Sequence, residues 1–495
     1  MDGRGGAIAL VALCVLELAL RGAGAGAAPA PAPAPERLVP AMFVFGDSTV
    51  DVGNNNQLPG CKPECRANYP RYGVDYPSSG APTGRFSNGK NLADHIAIFL
   101  GFDESPPAFQ SLWLPAMGAV PQHMKGGINF ASGGSGLQNT TGRNYCGRPV
   151  YSMADQLEEF TSAVDMMGED SGDLISTSLF FISVGSNDLF EYAYPWPTPS
   201  NRNDTAFLGC LVDHYKTYLQ ELYAAGARKF SIVSPSLVGC CPSQRAVALT
   251  HHNDTDEFGC FRAANNLSRQ LYPMLASMLQ ELSRDLDGMN YSLCDSAGMA
   301  ARLFTPGGGS GFNLTVLDTA CCAGAGRFGE GQCNSSATLC PNRANFMFWD
   351  GFHPTDAAAS LAALEIFTDT GNYLHPMNVG QLAALPREST TEEERAVGTR
   401  RLHLNLSPPP ERRRKRPTVG MMTEAMEEEK GFQPQLMGGG GRIRGAATAW
   451  ILGRGRLSPL QRARSVTDDK LDKFATPLIY AGGATSGKLF PQEQN

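Results

Sequence analysis

Ala41-Met42-Phe43-Val44-Phe45 runs directly into Gly46-Asp47-Ser48-Thr49-Val50-Asp51-Val52-Gly53-Asn54-Asn55 near the start of this 495-residue chain. Consecutive apolar residues ended by a glycine read as a strand of parallel-sheet type, buried on both faces and closed by a turn. Ser48 then stands at the carboxyl end of that strand, where open α/β sheets bind their ligands. A serine hydroxyl is a poor nucleophile at neutral pH unless an imidazole takes its proton. The imidazole in turn needs a carboxylate on its other nitrogen to hold the right tautomer.

Trp349-Asp350-Gly351-Phe352-His353-Pro354, about three hundred residues later, supplies both groups. Asp350 and His353 are three apart, so a helical turn or tight loop projects both side chains to one side within hydrogen-bond reach. Ser48, His353 and Asp350 are therefore the candidate nucleophile, base and orienting carboxylate. Each segment alone has a plainer reading. Gly-Asp-Ser after a strand is an ordinary turn, and Asp-x-x-His is an ordinary helix start with the aspartate as N-cap.

Outward from the first strand, further apolar runs at 127–130, 179–184, 229–234 and 289–294 read as strands. Helical patterns at 91–100, 153–166, 207–225 and 262–286 lie between them. Alternation of this kind predicts one large domain over 38–385, with a central parallel sheet of about five strands wrapped by helices. Before it, residues 1–27 read as a signal peptide: the apolar stretch 7–20 follows Arg4 and ends in small residues, and is short for a membrane span. Residues 28–37 read as an extended Pro/Ala linker.

Charge sets the end of the chain apart. Residues 386–495 carry 19 basic and 13 acidic residues, so the −7 of the whole chain leaves −13 on the rest. An acidic body gives no electrostatic footprint for nucleic acid. The tail, with Arg412-Arg413-Arg414-Lys415-Arg416, a glutamate run and a glycine run, reads as a disordered segment without an assigned role.

Twelve cysteines follow the signal peptide, an even set that reads as disulfides in an exported chain, with pairing left open. Zinc competes for Cys61-x-x-x-Cys65 and for Cys333 with Cys340. The vicinal pairs Cys240-Cys241 and Cys321-Cys322 fit no standard zinc spacing, and no nearby histidine completes a site, so no metal is expected. Asn139, Asn203, Asn253, Asn266, Asn290, Asn313, Asn334 and Asn405 each begin a glycosylation sequon, which fits export through the secretory pathway to the cell exterior or wall.

Together these segments resemble the plant secreted branch of the GDSL esterase/lipase family of SGNH hydrolases, over roughly residues 38–385. Two more blocks join FGDSTVDVGNN and WDGFHPT in the family's order: GINFASGGSG at 127–136 and VGSND at 184–188. Threonine stands at position 49 where the family name has leucine. The resemblance implies a three-layer α/β/α flavodoxin-like fold, and a Ser48, His353, Asp350 triad with an oxyanion hole. Gly134 is placed in that hole, with Gly133 and Gly136 as near competitors, together with the side-chain amide of Asn187. The segment 69–91 also resembles the plant branch and reads as a turn-rich structural cover.

The implied activity is hydrolysis of carboxylic esters through an acyl-enzyme, on lipid acyl esters or O-acetylated cell-wall polysaccharide, with no cofactor and no stable membrane anchor. The aromatic segment 190–196 does not separate an acyl chain from a sugar. Two alternatives use the same fold: a non-catalytic extracellular binding module, and an acyltransferase that delivers the acyl group to another hydroxyl.

Overall fold

The structure, a computed structural model, describes residues 36–386 apart from 78–81, 114–118, 148, 169–170, 196–199 and 306–312. The expected signal peptide, most of the linker and all but the first residue of the tail lie outside the described residues.

Four strands form the central parallel sheet: β1 (Met42–Gly46), β2 (Leu179–Ser183), β3 (Lys229–Val233) and β4 (Asn290–Cys294). The run expected as a strand at 127–130 lies alongside β1, giving the N–H of Phe130 to Val44 O at 2.8 Å and taking that of Val44 on Ile128 O at 3.1 Å. It forms only isolated parallel bridges, from Asn129 to Val44 and to Ala108. The fifth strand of the sheet is instead β9 (Leu374–His375), antiparallel to β4. Of the strands between, β5 (Val316–Ala320) pairs with β8 (Phe346–Phe348), and β6 (Cys322–Ala323) pairs with β7 (Thr338–Leu339).

Alternation along the strands sorts their side chains into two cores. Phe43, Phe45, Phe180, Ile182, Phe230 and Ile232 pack on one face beneath the helices Met153–Met167, Asp204–Ala224 and Arg262–Asp285. Met42, Val44, Leu179 and Phe181 pack on the other beneath Leu92–Phe99, Asp356–Thr368 and Val379–Ala384. This is why β1 reads as an unbroken apolar run: both faces are covered, and each large side chain withdrawn from water contributes about 1.5–3 kcal/mol. The result is the expected three-layer α/β/α arrangement.

Gly46, Ser183, Val233 and Cys294 are register partners across the sheet, so all four strands end level. The loops that leave them share one edge. At either end of the described chain, Leu38 N–H donates to Leu100 O at 3.0 Å, and Lys229 Nζ donates to Leu385 O at 2.8 Å.

Eight cysteines form four disulfides: Cys65–Cys146, Cys240–Cys260, Cys321–Cys340 and Cys322–Cys333. These bridges take both members of the Cys321-Cys322 pair but only Cys240 of the Cys240-Cys241 pair, and they use Cys65, Cys333 and Cys340 of the cysteines for which zinc competed. Full pairing of the even set is not found, because Cys210, Cys241 and Cys294 remain thiols. Burial pushes the thiols of Cys241 and Cys294 up to about 12. No helix among the described residues is long and apolar enough to cross a membrane.

Candidate active site

Ser48 is presented by a turn that only glycine allows. Gly46 has φ +139°, and a Cβ built there would lie 1.9 Å from Ser183 O. That close approach lets Asp47 N–H reach Ser183 O at 3.0 Å, while Asp47 O accepts Val50 N–H and Asp51 N–H. The Asp47 carboxylate takes Thr49 N–H at 3.0 Å and Thr49 Oγ1 at 2.7 Å. From the helix Met153–Met167, the buried Gln156 pins Gly46 on both sides. Its Oε1 accepts Gly46 N–H and its Nε2 donates to Gly46 O, each at 2.9 Å.

The imidazole and carboxylate come from the loop after β8. Trp349 is fully buried and its N–H donates to His353 O at 2.7 Å, closing the loop. Cys321 N–H and Cys322 N–H donate to Phe348 O and Trp349 O, so the two disulfides at the vicinal pair brace this loop. Asp350 Oδ1 accepts the N–H groups of Phe352 and His353, both at 2.8 Å, which fixes its rotamer. His353 Nδ1 then sits 2.8 Å from Asp350 Oδ2, and His353 Nε2 sits 2.8 Å from Ser48 Oγ. The three side chains picked out in sequence are thus joined by a continuous relay spanning 305 residues.

Burial alone would raise the Asp350 carboxyl. The charge of His353, its hydrogen bond, the Phe352 N–H and the Tyr72 hydroxyl outweigh that and hold it below the ordinary aspartate range. Asp350 therefore stays charged beside the imidazole, as an orienting group must.

The second and third blocks meet the first at the same edge. Ser132 N–H donates to Gly46 O at 3.0 Å, and Asn187, on the helix Ser186–Ala193 that follows β2, donates Nδ2 to Ser135 O at 2.8 Å. Of the competing glycines, Gly133 has its N–H bound to Asp51 Oδ2 at 2.9 Å. Gly134 has φ +85°, and a Cβ there would meet Cys146 Sγ at 2.6 Å. No acceptor among the described residues takes the N–H of Ser48 or of Gly134. The Asn187 amide uses one of its two N–H bonds on Ser135 O, and its Oδ1 accepts Tyr145 Oη at 2.7 Å, which fixes which end of the amide is the donor.

Several residues that shape the site escape a reading of local pattern. Gln156 and Tyr145 act across long separations with no motif of their own. The segment 69–91, read as structural cover, reaches the relay twice. Tyr72 Oη donates to Asp350 Oδ2 at 2.7 Å, and the Phe86 ring lies 4.7 Å from that of His353. Phe352 is 43 % exposed beside His353 and packs edge-on against Phe190 at 5.4 Å, on the helix that carries Asn187. Trp196 lies outside the described residues.

A family model described as GDSL-like lipase/acylhydrolase matches residues 42–366. Two GDSL esterase/lipases of Arabidopsis thaliana are 34% and 35% identical over 356 and 358 residues, covering 70% of this chain and 86% and 92% of their own. GDSL esterase/lipase 7 of the same plant is 32% identical over 387 residues, covering 76% of this chain and 99% of its own. With a parallel sheet of the expected kind beneath these matches, the chain belongs to the GDSL lipase/acylhydrolase family and is a carboxylic ester hydrolase.

Proposed function

We propose that the protein is a secreted serine esterase that works through an acyl-enzyme on Ser48. The observation that carries this reading is the unbroken Asp350–His353–Ser48 relay at the level edge of the sheet. As Ser48 Oγ attacks the ester carbonyl, its proton passes to His353 Nε2, and Asp350 stabilises the imidazolium that forms. Negative charge gathers on the carbonyl oxygen, where the N–H groups of Ser48 and Gly134 and the Nδ2 of Asn187 meet it. His353 returns the proton to the departing alcohol, leaving an acyl group on Ser48. Water, deprotonated by the same imidazole, then releases the acid and restores the serine.

Secretion is supported by the leader expected at 1–27 and by four disulfides, which persist in oxidising compartments. Sequon asparagines 139, 203, 253, 266 and 313 lie on the exposed surface, open to glycosylation. The substrates are lipid acyl esters or O-acetylated wall polysaccharide, and the exposed Phe352 with Phe190 offers a hydrocarbon wall to the acyl part. The catalytic body is residues 38–385, and the tail has no part in the reaction.

The test is to express residues 28–386 through a secretory pathway and treat wild type and Ser48→Ala with a fluorophosphonate probe. Short and long p-nitrophenyl esters are assayed alongside. Labelling of wild type alone, with ester turnover, supports the reading. A folded wild type that neither labels nor turns over any ester refutes it.

A further inference from the structure

Asp350 is held from a direction the triad does not need. Its Oδ1 is occupied by two backbone N–H groups of its own loop. Its Oδ2 receives both His353 Nδ1 at 2.8 Å and the hydroxyl of Tyr72 at 2.7 Å, a residue 278 positions away. Tyr72 is 5 % exposed, and its ring packs edge-on against Tyr69 and Phe86, with Phe86 in turn against His353. Burial and the Asp350 charge push its hydroxyl well above the ordinary tyrosine range, so it remains a proton donor at any working pH. The other titratable groups close to this pair and its imidazole are Tyr69, whose Oη donates to Pro63 O, the Cys241 thiol, which donates to Phe352 O, and Asp47, which faces His353 from the turn that carries Ser48.

We infer that Tyr72 is a positioning residue of the hydrolytic site, acting through Asp350 to set the direction and the strength of the carboxylate's grip on His353. This inference rests on the triad reading above. A buried hydroxyl sharing the carboxylate's charge does two things. It adds a restraint on Oδ2 to a rotamer that the Phe352 and His353 N–H groups already set through Oδ1, and it weakens the pull of the carboxylate on a proton residing on the imidazole. Hydrogen bonds to a charged acceptor are among the stronger ones in proteins, so removing this one has consequences beyond local packing.

The experiment is Tyr72→Phe, which keeps the ring and removes only the hydroxyl, compared with wild type for turnover of a p-nitrophenyl ester and for the rate of fluorophosphonate labelling. The expected result is kcat and labelling rate both lower by about 10- to 100-fold, with KM within about twofold, because Tyr72 touches no substrate. The acid limb of the kcat/KM profile moves to higher pH, since the unshared carboxylate favours protonated imidazole more strongly. Tyr72→Phe made in an Asp350→Asn background then adds little further loss. If Tyr72→Phe does not fold, 3-fluorotyrosine placed at position 72 keeps the size and strengthens the donor, and it moves the acid limb the opposite way. A folded Tyr72→Phe enzyme with wild-type kcat and labelling rate, or a fluorotyrosine protein with an unmoved acid limb, overturns the inference while leaving the triad standing. A wild type that does not label at all overturns both.

Discussion

Gly46→Ala tests whether the geometry of the strand exit, and not merely the presence of Ser48, makes the site. The added Cβ would lie 1.9 Å from Ser183 O, against the 3.0 Å below which such contacts are essentially never seen. β1 and β2 must therefore part by about 1 Å at the end that carries Ser48. Three costs combine: about 1–3 kcal/mol for a side chain at positive φ, about 1–3 kcal/mol for overpacking, and about 1 kcal/mol for weakening the bond from Asp47 N–H to Ser183 O. The total, about 3–7 kcal/mol, is a large share of a typical domain's stability and corresponds, for a body of this size, to a fall in Tm of about 4–10 °C. A 1 Å displacement of Ser48 also costs about a hundredfold in rate. Thermal unfolding by circular dichroism and the rate of fluorophosphonate labelling read the two effects separately. Gly209→Ala is the control: it lies within Asp204–Ala224 with nothing within 4 Å of its added carbon, and it gains about 0.5–1 kcal/mol. A Gly46→Ala protein that melts within about 2 °C of wild type and labels at the wild-type rate would refute the close-approach argument.

Asn187→Ala removes one proposed oxyanion donor and is expected to lower kcat by about 10²–10³ while sparing the Ser48–His353 hydrogen bond; unchanged kcat would take Asn187 out of the hole. Burial raises Asp47 and Asp51 to about 6, so in the folded state they hold protons that the unfolded chain has released. Their stabilising contribution is complete below the unfolded value near 3.8 and is lost as pH rises through about 6, by about 3 kcal/mol each at most. Aspartates held low, such as Asp350, are ionised in both states above pH ~5 and do not oppose this trend. The urea midpoint of the disulfide-intact protein is thus higher at pH 5 than at pH 8, and a midpoint that rises with pH would contradict the assignment. Truncation after Pro386 leaves turnover unchanged, whereas truncation before residue 379 removes the carbonyls of Ala383 and Leu385 that hold Lys229 Nζ and lowers stability, read by thermal unfolding of both truncated forms.

What could be read from the sequence was whatever is encoded locally. The run Met42–Phe45 declares a strand with both faces covered, and Asp350 with His353 declares a loop that presents two side chains together. Helix starts were less legible. The expected helix at 207 begins three residues earlier, because Asn203 caps it through a bond to Ala206 N–H. The fifth strand, Leu374–His375, is two residues long and too short to show any period. The residues that aim the chemistry were hidden for a different reason. Gln156 reaches Gly46 across 110 positions and Tyr72 reaches Asp350 across 278, and neither separation leaves a spacing to recognise.

The length of the first block has a physical explanation that nucleophilic chemistry alone does not provide. Ser48 needs only a strand end and a turn, yet the pattern runs on to Asn55. Asp51 Oδ1 accepts Gly53 N–H and Asn54 N–H, and its Oδ2 accepts Gly133 N–H. Asn54 Nδ2 donates to Asn129 O and Ala131 O, and Asn55 Nδ2 donates to Cys65 O and Gly133 O. Residues 51–55 are thus a staple that fastens the second block to the nucleophile's own turn. Asp51 holds the N–H of Gly133, while no described residue accepts the N–H of Gly134, one residue on, which the proposed reaction offers to the developing oxyanion. In the proposed mechanism the nucleophile and one of its electrostatic partners are therefore held by a single unit, and preorganised donors of this kind need no reorganisation when charge appears.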